Sequence, residues 1–350
     1  MDLIKLSLAQ IAPTPGLLDY NLGQHLEYID RAKQAGSELV IFPELSLTGY
    51  FLKDAVYDSA IGFNEIINKN IAADKDNGEN SNYGNTITNK NNEIKEQNNK
   101  KINNKNNEIN NKNYEIKNNS CGLDLKKSND YILDVLLDKS REIAIIAGFV
   151  ESDEDFNFYN STCCLSGGNI LHVHRKVYLP TYGMFEEMRY FKKGEEFGVF
   201  DILGTKAAIL TCEDAWHLSS SYIAVNKGAK LIVINSASPA RGIEEGNDKF
   251  SSVKMWEELL SVIAFYYKSY VVYINRVGFE DGIGFSGGSC VFSPNGEKDY
   301  RLDYLDEGLL NIELNLDFLK NERFKTPILR DENLDITIKE LNSIIGHYKS

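Results

Sequence analysis

The sequence predicts an α/β fold in which a mixed sheet carries helices on its faces. Two observations lead there. Stretches with apolar residues at every second position alternate along the chain with stretches at helical spacing. Some neighbouring strands are joined directly by short glycine turns such as Gly167-Gly168-Asn169, so the sheet is not purely parallel.

The elements follow in order. Leu3 to Ile11 alternates and reads as a strand. Leu22, Leu26 and Ile29 recur at helical spacing between Asp19 and Ala35, and Gly36 supplies the stop. Glu38 to Phe42 reads as a buried strand that ends at Pro43-Glu44. Over 64–120 the composition turns to Asn, Lys and Glu, in near-repeats such as Asn91-Asn92-Glu93-Ile94 and Asn106-Asn107-Glu108-Ile109. One apolar residue per repeat is too few for a coiled-coil seam, and Asn is a poor helix former, so this insert is expected to be disordered. Ile132, Leu133, Leu136 and Leu137 mark the next helix. Strands follow at Ile143–Val150, Tyr159–Leu165 and Ile170–His174, then a long aromatic loop from Arg175 to Glu196. Strands are expected at Val199–Leu203, Lys206–Thr211, Leu231–Asn235, Val271–Asn275, Gly288–Ser293 and Leu309–Leu314, with a helix over Phe250–Tyr267. Residues 1–316 thus form one domain interrupted by the insert. The 317–350 tail mixes loop and helix and is expected to lie at a subunit interface.

Composition narrows the function. A net charge of −13 argues against nucleic-acid partners and anionic membrane surfaces. No apolar run reaches the roughly 18 residues that span a bilayer. Met1 to Leu6 reads as the start of the first strand and lacks a signal-peptide layout. The five cysteines include no C-x-x-C pair, and free thiols fit a reducing cytoplasm.

Three groups carry the chemistry. Glu44 ends one strand, Cys212 ends another in Ala208-Ile209-Leu210-Thr211-Cys212-Glu213-Asp214, and Lys176 opens the long loop. Strand ends are where α/β proteins place their sites. Alone, Cys212 reads as a small residue closing a buried strand, Glu44 as a cap or an arginine partner, and Lys176 as a surface cation. Together they supply a base, a soft nucleophile and a cation, the parts needed to cleave an amide through a thioester. A helix starting after Cys212 would favour its thiolate.

The motifs Phe42-Pro43-Glu44, Arg175-Lys176-Val177-Tyr178-Leu179-Pro180 and Thr211-Cys212-Glu213-Asp214 resemble, in order, those of the nitrilase or carbon–nitrogen hydrolase superfamily. The resemblance spans nearly all of the chain outside the insert. It implies Glu44 as general base, Lys176 as oxyanion cation and Cys212 as nucleophile. A further family glutamate best matches Glu187, with Glu186 adjacent. It also implies a four-layer αββα sandwich, dimers or higher homo-oligomers built through one helical layer, and no metal or organic cofactor. Tyr182-Gly183-Met184-Phe185, Ser236-Ala237-Ser238-Pro239 and Asn275-Arg276-Val277-Gly278 are most similar to the glutaminase domain of glutamine-dependent NAD synthetases and its stand-alone relatives. By that resemblance Tyr50, Tyr182, Phe185, Glu213 and Ser236 or Ser238 shape the substrate pocket, and Arg241 faces a substrate carboxylate. The synthetase half would need an ATP-binding Ser-Gly-Gly loop and a second domain, which this chain is not expected to supply, so it is not expected to make NAD by itself. The expected reaction is hydrolysis of a small linear amide, glutamine-like or aliphatic, with water. Nitrile hydrolysis and ammonia supply to a separate synthetase are the alternatives.

Other candidates fall away. His217 lies five residues after Cys212 and would point elsewhere on one helix. His172 and His174 share a strand face, but two histidines without a third ligand make a poor zinc site. Cys163 and Cys164 point to opposite faces of a strand, and Cys290 reads as buried. Gly287-Gly288 lacks the lysine of a phosphate loop. Trp216 and Trp256 read as core or interface anchors.

Overall fold

The strands form two main sheets and one separate hairpin. A computed structural model describes residues 3–62, 129–242 and 250–348, which belong to one unit of the chain. The 64–120 insert lies outside the described residues, as does Cys121.

The first sheet holds β1 (Leu3–Gln10), β2 (Leu39–Ile41), β3 (Ile61–Gly62), β4 (Ala144–Ser152), β5 (Phe158–Ser166), β6 (Asn169–Arg175) and β15 (Gly308–Asn315). Its order is β15-β1-β2-β4-β5-β6, with β3 added to β4. The second sheet holds β7 (Phe200–Ile202), β8 (Thr205–Thr211), β9 (Leu231–Ser236), β10 (Tyr270–Asn275), β13 (Cys290–Phe292) and β14 (Lys298–Arg301), in the order β14-β13-β10-β9-β8-β7. A separate hairpin pairs β11 (Val277–Glu280) with β12 (Ile283–Ser286). Four strands escaped the pattern reading: β3, β11, β12 and β14 are short, and β14 is exposed on both faces.

Period two decides which side chains meet between the sheets. Ile4, Leu6 and Leu8 of β1 point the same way and pack with Ile41, Ile146 and Cys164. Ile209 of β8, Val233 of β9, Val272 of β10 and Val291 of β13 meet them from the other sheet. The alternate residues of the second sheet, Leu210, Ile232, Ile234 and Val271, pack outward onto a helix layer.

That layer contains α3 (Leu218–Asn226) and α4 (Ser251–Tyr267), the latter burying Trp256, Leu260, Ile263 and Ala264. On the other side α1 (Leu18–Gln34) and α2 (Tyr131–Lys139) cover the first sheet, with Leu22 and Ile29 of α1 and Ile132, Leu133, Leu136 and Leu137 of α2 buried. The result is the four-layer αββα sandwich. Two further helices end the chain, α5 (Leu316–Lys325) and α6 (Leu334–Tyr348). Leu334, Ile338, Leu341 and Ile345 leave an apolar stripe of α6 exposed.

Burial explains the discarded candidates. Cys164 joins the intersheet core, while Cys163 faces away and donates to the Ala147 carbonyl at 3.6 Å. Cys290 is buried on the α4 side. Trp216 and Trp256 meet edge to face at 5.0 Å. No metal-binding cluster exists among the described residues. Nor does any described helix have the length and apolarity to cross a membrane.

One glycine seats the loop that carries Glu44. A Cβ on Gly148 of β4 would stand 2.4 Å from the Leu45 nitrogen and 2.8 Å from the Pro43 carbonyl oxygen, both rigid backbone. Gly148→Ala is therefore expected to cost about 1–3 kcal/mol by overpacking and to displace Glu44. A denaturation midpoint and turnover both equal to wild type would contradict this.

Candidate active site

The two sheets deliver their strand ends to one place. β2 leads into Phe42-Pro43-Glu44, β6 into Arg175-Lys176, β8 into Cys212 and β9 into Ala237. β8 and β9 run parallel with Thr211 opposite Asn235, so the next residues, Cys212 and Ser236, stand side by side. The Ser236 hydroxyl accordingly donates to the Cys212 sulfur at 3.3 Å.

Cys212 sits at a tight elbow. Its φ of 47° and ψ of −101° lie outside the regions an L-residue prefers. Such a conformation costs about 1–3 kcal/mol and persists only where surrounding structure holds it. Its N–H donates to the Asn235 carbonyl at 2.9 Å, and its own carbonyl accepts from the Ala215 N–H at 3.0 Å. A single helical turn, Glu213–Trp216, follows. The helix end expected to favour the thiolate is thus one turn long. Burial pushes the Cys212 thiol well above its ordinary range, Glu44 pushes the same way, and Lys176 opposes both. Burial and Glu44 thus both disfavour the thiolate here.

Glu44, Lys176 and Glu187 form one buried cluster. The Lys176 ammonium donates to Glu44 Oε1 at 2.8 Å and to Glu187 Oε1 at 2.7 Å. Glu44 Oε1 also accepts from Asn160 Nδ2 at 2.7 Å, and Glu44 Oε2 from the Ala237 N–H at 2.7 Å. The Tyr50 hydroxyl donates to Glu187 Oε1. Burial works against the Lys176 charge, but Glu187 and Glu44 outweigh it and hold the ammonium well above the usual lysine range. Burial pushes Glu187 up to about 7, with Lys176 opposing and Glu44 adding to the rise. Between the neighbouring glutamates, Glu187 is buried and Glu186 is exposed.

The other pocket candidates divide. Tyr182 donates its hydroxyl to Glu213 Oε2 at 2.8 Å and meets Phe185 edge to face at 5.7 Å. Tyr50 meets the same Phe185 ring at 6.4 Å, and the Arg241 guanidinium lies 5.5 Å above it. These residues make one continuous shelf. Ser238 is engaged elsewhere, accepting from Trp256 Nε1 at 2.8 Å and donating its N–H to Asn275 Oδ1 at 2.8 Å. His217 stacks on Tyr178 with ring centres 3.5 Å apart, away from the thiol. His172 stacks on Phe200, and His174 turns to Asp214. A cavity of about 250 Å3 opens beyond Tyr50 and Glu187, lined by Phe51, Met184, Tyr190, Phe191 and Ile283. Cys212 is not among its lining residues, so it adjoins the cluster and is separate from the thiol's own surroundings.

Sequence reading missed Asn160 and the Ala237 N–H. Asn160 carried a signal, being a polar side chain on an otherwise buried strand. The Ala237 N–H carried none, since every residue but proline has one.

The carbon-nitrogen hydrolase pattern matches residues 5–115 and 137–323. The chain belongs to that family. This carbon–nitrogen hydrolase is 27% identical over 321 residues to a glutamine-dependent NAD(+) synthetase of Thermotoga maritima, covering 91% of this chain and 43% of the relative. It is 28% identical over 183 residues to a probable nitrilase of Schizosaccharomyces pombe, covering 51% and 61% of the two chains. The chain spans less than half the length of the synthetase it matches. Among solved structures, the glutamine-dependent NAD+ synthetase of Acinetobacter baumannii superposes with a TM-score of 0.65 at 25% identity, over 91% of this chain and 46% of that one. A carbon-nitrogen hydrolase of Helicobacter pylori superposes with a TM-score of 0.67 at 20% identity, over 97% and 98%. The protein is a hydrolase acting on carbon–nitrogen bonds.

The raised Glu187 fixes a sign. A carboxyl whose folded pKa exceeds its unfolded value stabilises the fold fully below the unfolded value, and that contribution is lost as pH rises through the folded one. Here the window runs from about 4.5 to about 7. The stability of wild type relative to Glu187→Gln is therefore expected to fall as pH rises across it. Denaturant titrations of both proteins at several pH values check this; a difference that grows with pH would contradict it.

Proposed function

We propose that the protein hydrolyses a small linear amide, glutamine-like or aliphatic, to an acid and ammonia through a thioester on Cys212. One observation carries the reading: a buried ammonium held between two carboxylates beside a strained cysteine elbow. Glu44 takes the proton from the Cys212 thiol, and the sulfur attacks the amide carbonyl. The oxyanion is held by the Lys176 ammonium and the N–H of residue 213. Glu44 returns its proton to the departing ammonia, then activates the water that cleaves the thioester. Glu187 shares the Lys176 charge with Glu44 and tunes both groups. The reaction as written needs no metal or organic cofactor.

Similarity to glutamine-dependent synthetases supports glutamine as the amide, as does the shelf of Tyr50, Phe185, Tyr182, Glu213 and Arg241. Tyr182 and Glu213 offer acceptors for a substrate ammonium, and Arg241 a fork for a carboxylate. The same similarity favours a second reading, a glutaminase that feeds ammonia to a separate synthetase. Nitrile hydrolysis would use the same groups. We also propose a homodimer or higher homo-oligomer. Exposed Met255, Val262, Phe265 and Tyr266 on α4, and the α6 stripe, are the surfaces that favour it. Free buried thiols fit a cytoplasmic setting.

Cys212→Ala is expected to abolish turnover. Lys176→Ala is expected to lose at least about 100-fold in kcat, in line with removal of an oxyanion donor. Intact-protein mass spectrometry after adding glutamine, short aliphatic amides, N-carbamoyl compounds and nitriles should trap an acyl adduct on wild type. Persistent hydrolysis by purified Cys212→Ala would defeat the mechanism.

A further inference from the structure

Asp214 belongs to neither the nucleophile nor the charge cluster, yet its carboxylate is wholly buried. Its Oδ1 accepts from the Val177 N–H at 3.0 Å and the Tyr178 N–H at 2.9 Å. Its Oδ2 accepts from the Thr211 N–H at 3.1 Å and from His174 Nε2 at 2.7 Å. These partners flank the two reacting groups. Thr211 directly precedes Cys212 on the second sheet. Val177 directly follows Lys176, and His174 lies two residues before it on the first sheet. One oxygen therefore holds the lysine loop, and the other holds the cysteine elbow together with β6.

A cysteine, a histidine and an aspartate in one region invite the reading of a hydrolase triad. The geometry points elsewhere. The carboxylate only accepts, so His174 Nε2 carries the proton and donates it. His174 Nδ1 is buried with no hydrogen-bond partner among the described residues. The charged groups acting on the Cys212 sulfur are Glu44, Lys176 and Glu187, with Ser236 as its hydrogen-bond donor.

We propose that Asp214 is a positioning residue that clips the Cys212 elbow to the Lys176 loop across the two sheets, with His174 as its fourth donor. This rests on the reading of Cys212 as nucleophile and Lys176 as its cation. The clip also accounts for the strain at Cys212, because the Thr211 bond fixes the chain on the entering side of the elbow.

Asp214→Asn tests it. An amide keeps one acceptor oxygen and turns an NH2 group toward the other pair of donors. In either orientation one of the two elements loses its anchor. A shift of about 1 Å in reacting groups typically costs about 100-fold. The first measurement is the rate of iodoacetamide alkylation at Cys212, located by peptide mass mapping. It needs no amide turnover, so an amide panel that fails would count against hydrolysis and leave this test standing. In Asp214→Asn the alkylation rate is expected to fall at least about tenfold while the melting midpoint stays within a few degrees. On any amide that wild type cleaves, kcat should fall by a similar factor with KM within about threefold. His174→Gln keeps a donor and should hold alkylation within about threefold, whereas His174→Leu should move toward Asp214→Asn. The proposal is overturned if alkylation in Asp214→Asn matches wild type, or if its loss tracks loss of folded protein. It is equally overturned if His174→Gln is as impaired as Asp214→Asn, which would make the imidazole a proton-transfer group.

Discussion

A lysine ammonium wedged between two buried carboxylates is the interaction on which the site depends. Lys176 alone would be a heavy desolvation cost at its depth, and so would either glutamate. Each is tolerated because of the others. Two carboxylates share one ammonium, and burial, with Glu44 adding to it against the pull of Lys176, raises Glu187 to about 7. Asn160, the Ala237 N–H and the Tyr50 hydroxyl supply the remaining donors. The cluster is therefore a structural keystone, and removing the Lys176 charge would leave two buried carboxylates without their shared partner.

The second constraint is the elbow at Cys212. Thr211 ends a central strand, Glu213 begins a single helical turn, and the cysteine between them has a positive φ. That geometry presents the sulfur at the strand edge, next to Ser236 from the parallel neighbour. Burial disfavours the charged form of the sulfur. Under the proposed mechanism a buried thiol is coupled to Glu44 as base and Lys176 as fixed cation, which suits a proton transfer made as substrate arrives.

Much of this was legible beforehand. Apolar runs stop abruptly at Glu44 and Cys212, which placed those residues on strand ends, and alternation along β1 marked it as a strand. The hairpin at Gly167-Gly168 and the helices over α1, α2 and α4 were readable from turn chemistry and spacing. Short strands such as β3 and β14 were not, since a few residues carry no period. The split into two sheets came from the motif resemblance and not from the strand pattern, because an apolar strand buried on both faces looks alike whichever sheet it joins.

The sequence by itself determined the family, the alternation of strand and helix, and which residue types could do the chemistry, because these depend on local pattern and side-chain identity. Tertiary structure alone decided that Ser236 rather than Ser238 meets the sulfur and that Asp214 bridges the sheets while Glu213 meets Tyr182, and it buried Glu187, the family match, while leaving Glu186 exposed. Neighbours in sequence are chemically interchangeable on paper. Strand register and burial separate them, sending one side chain of each pair into the site and its neighbour elsewhere.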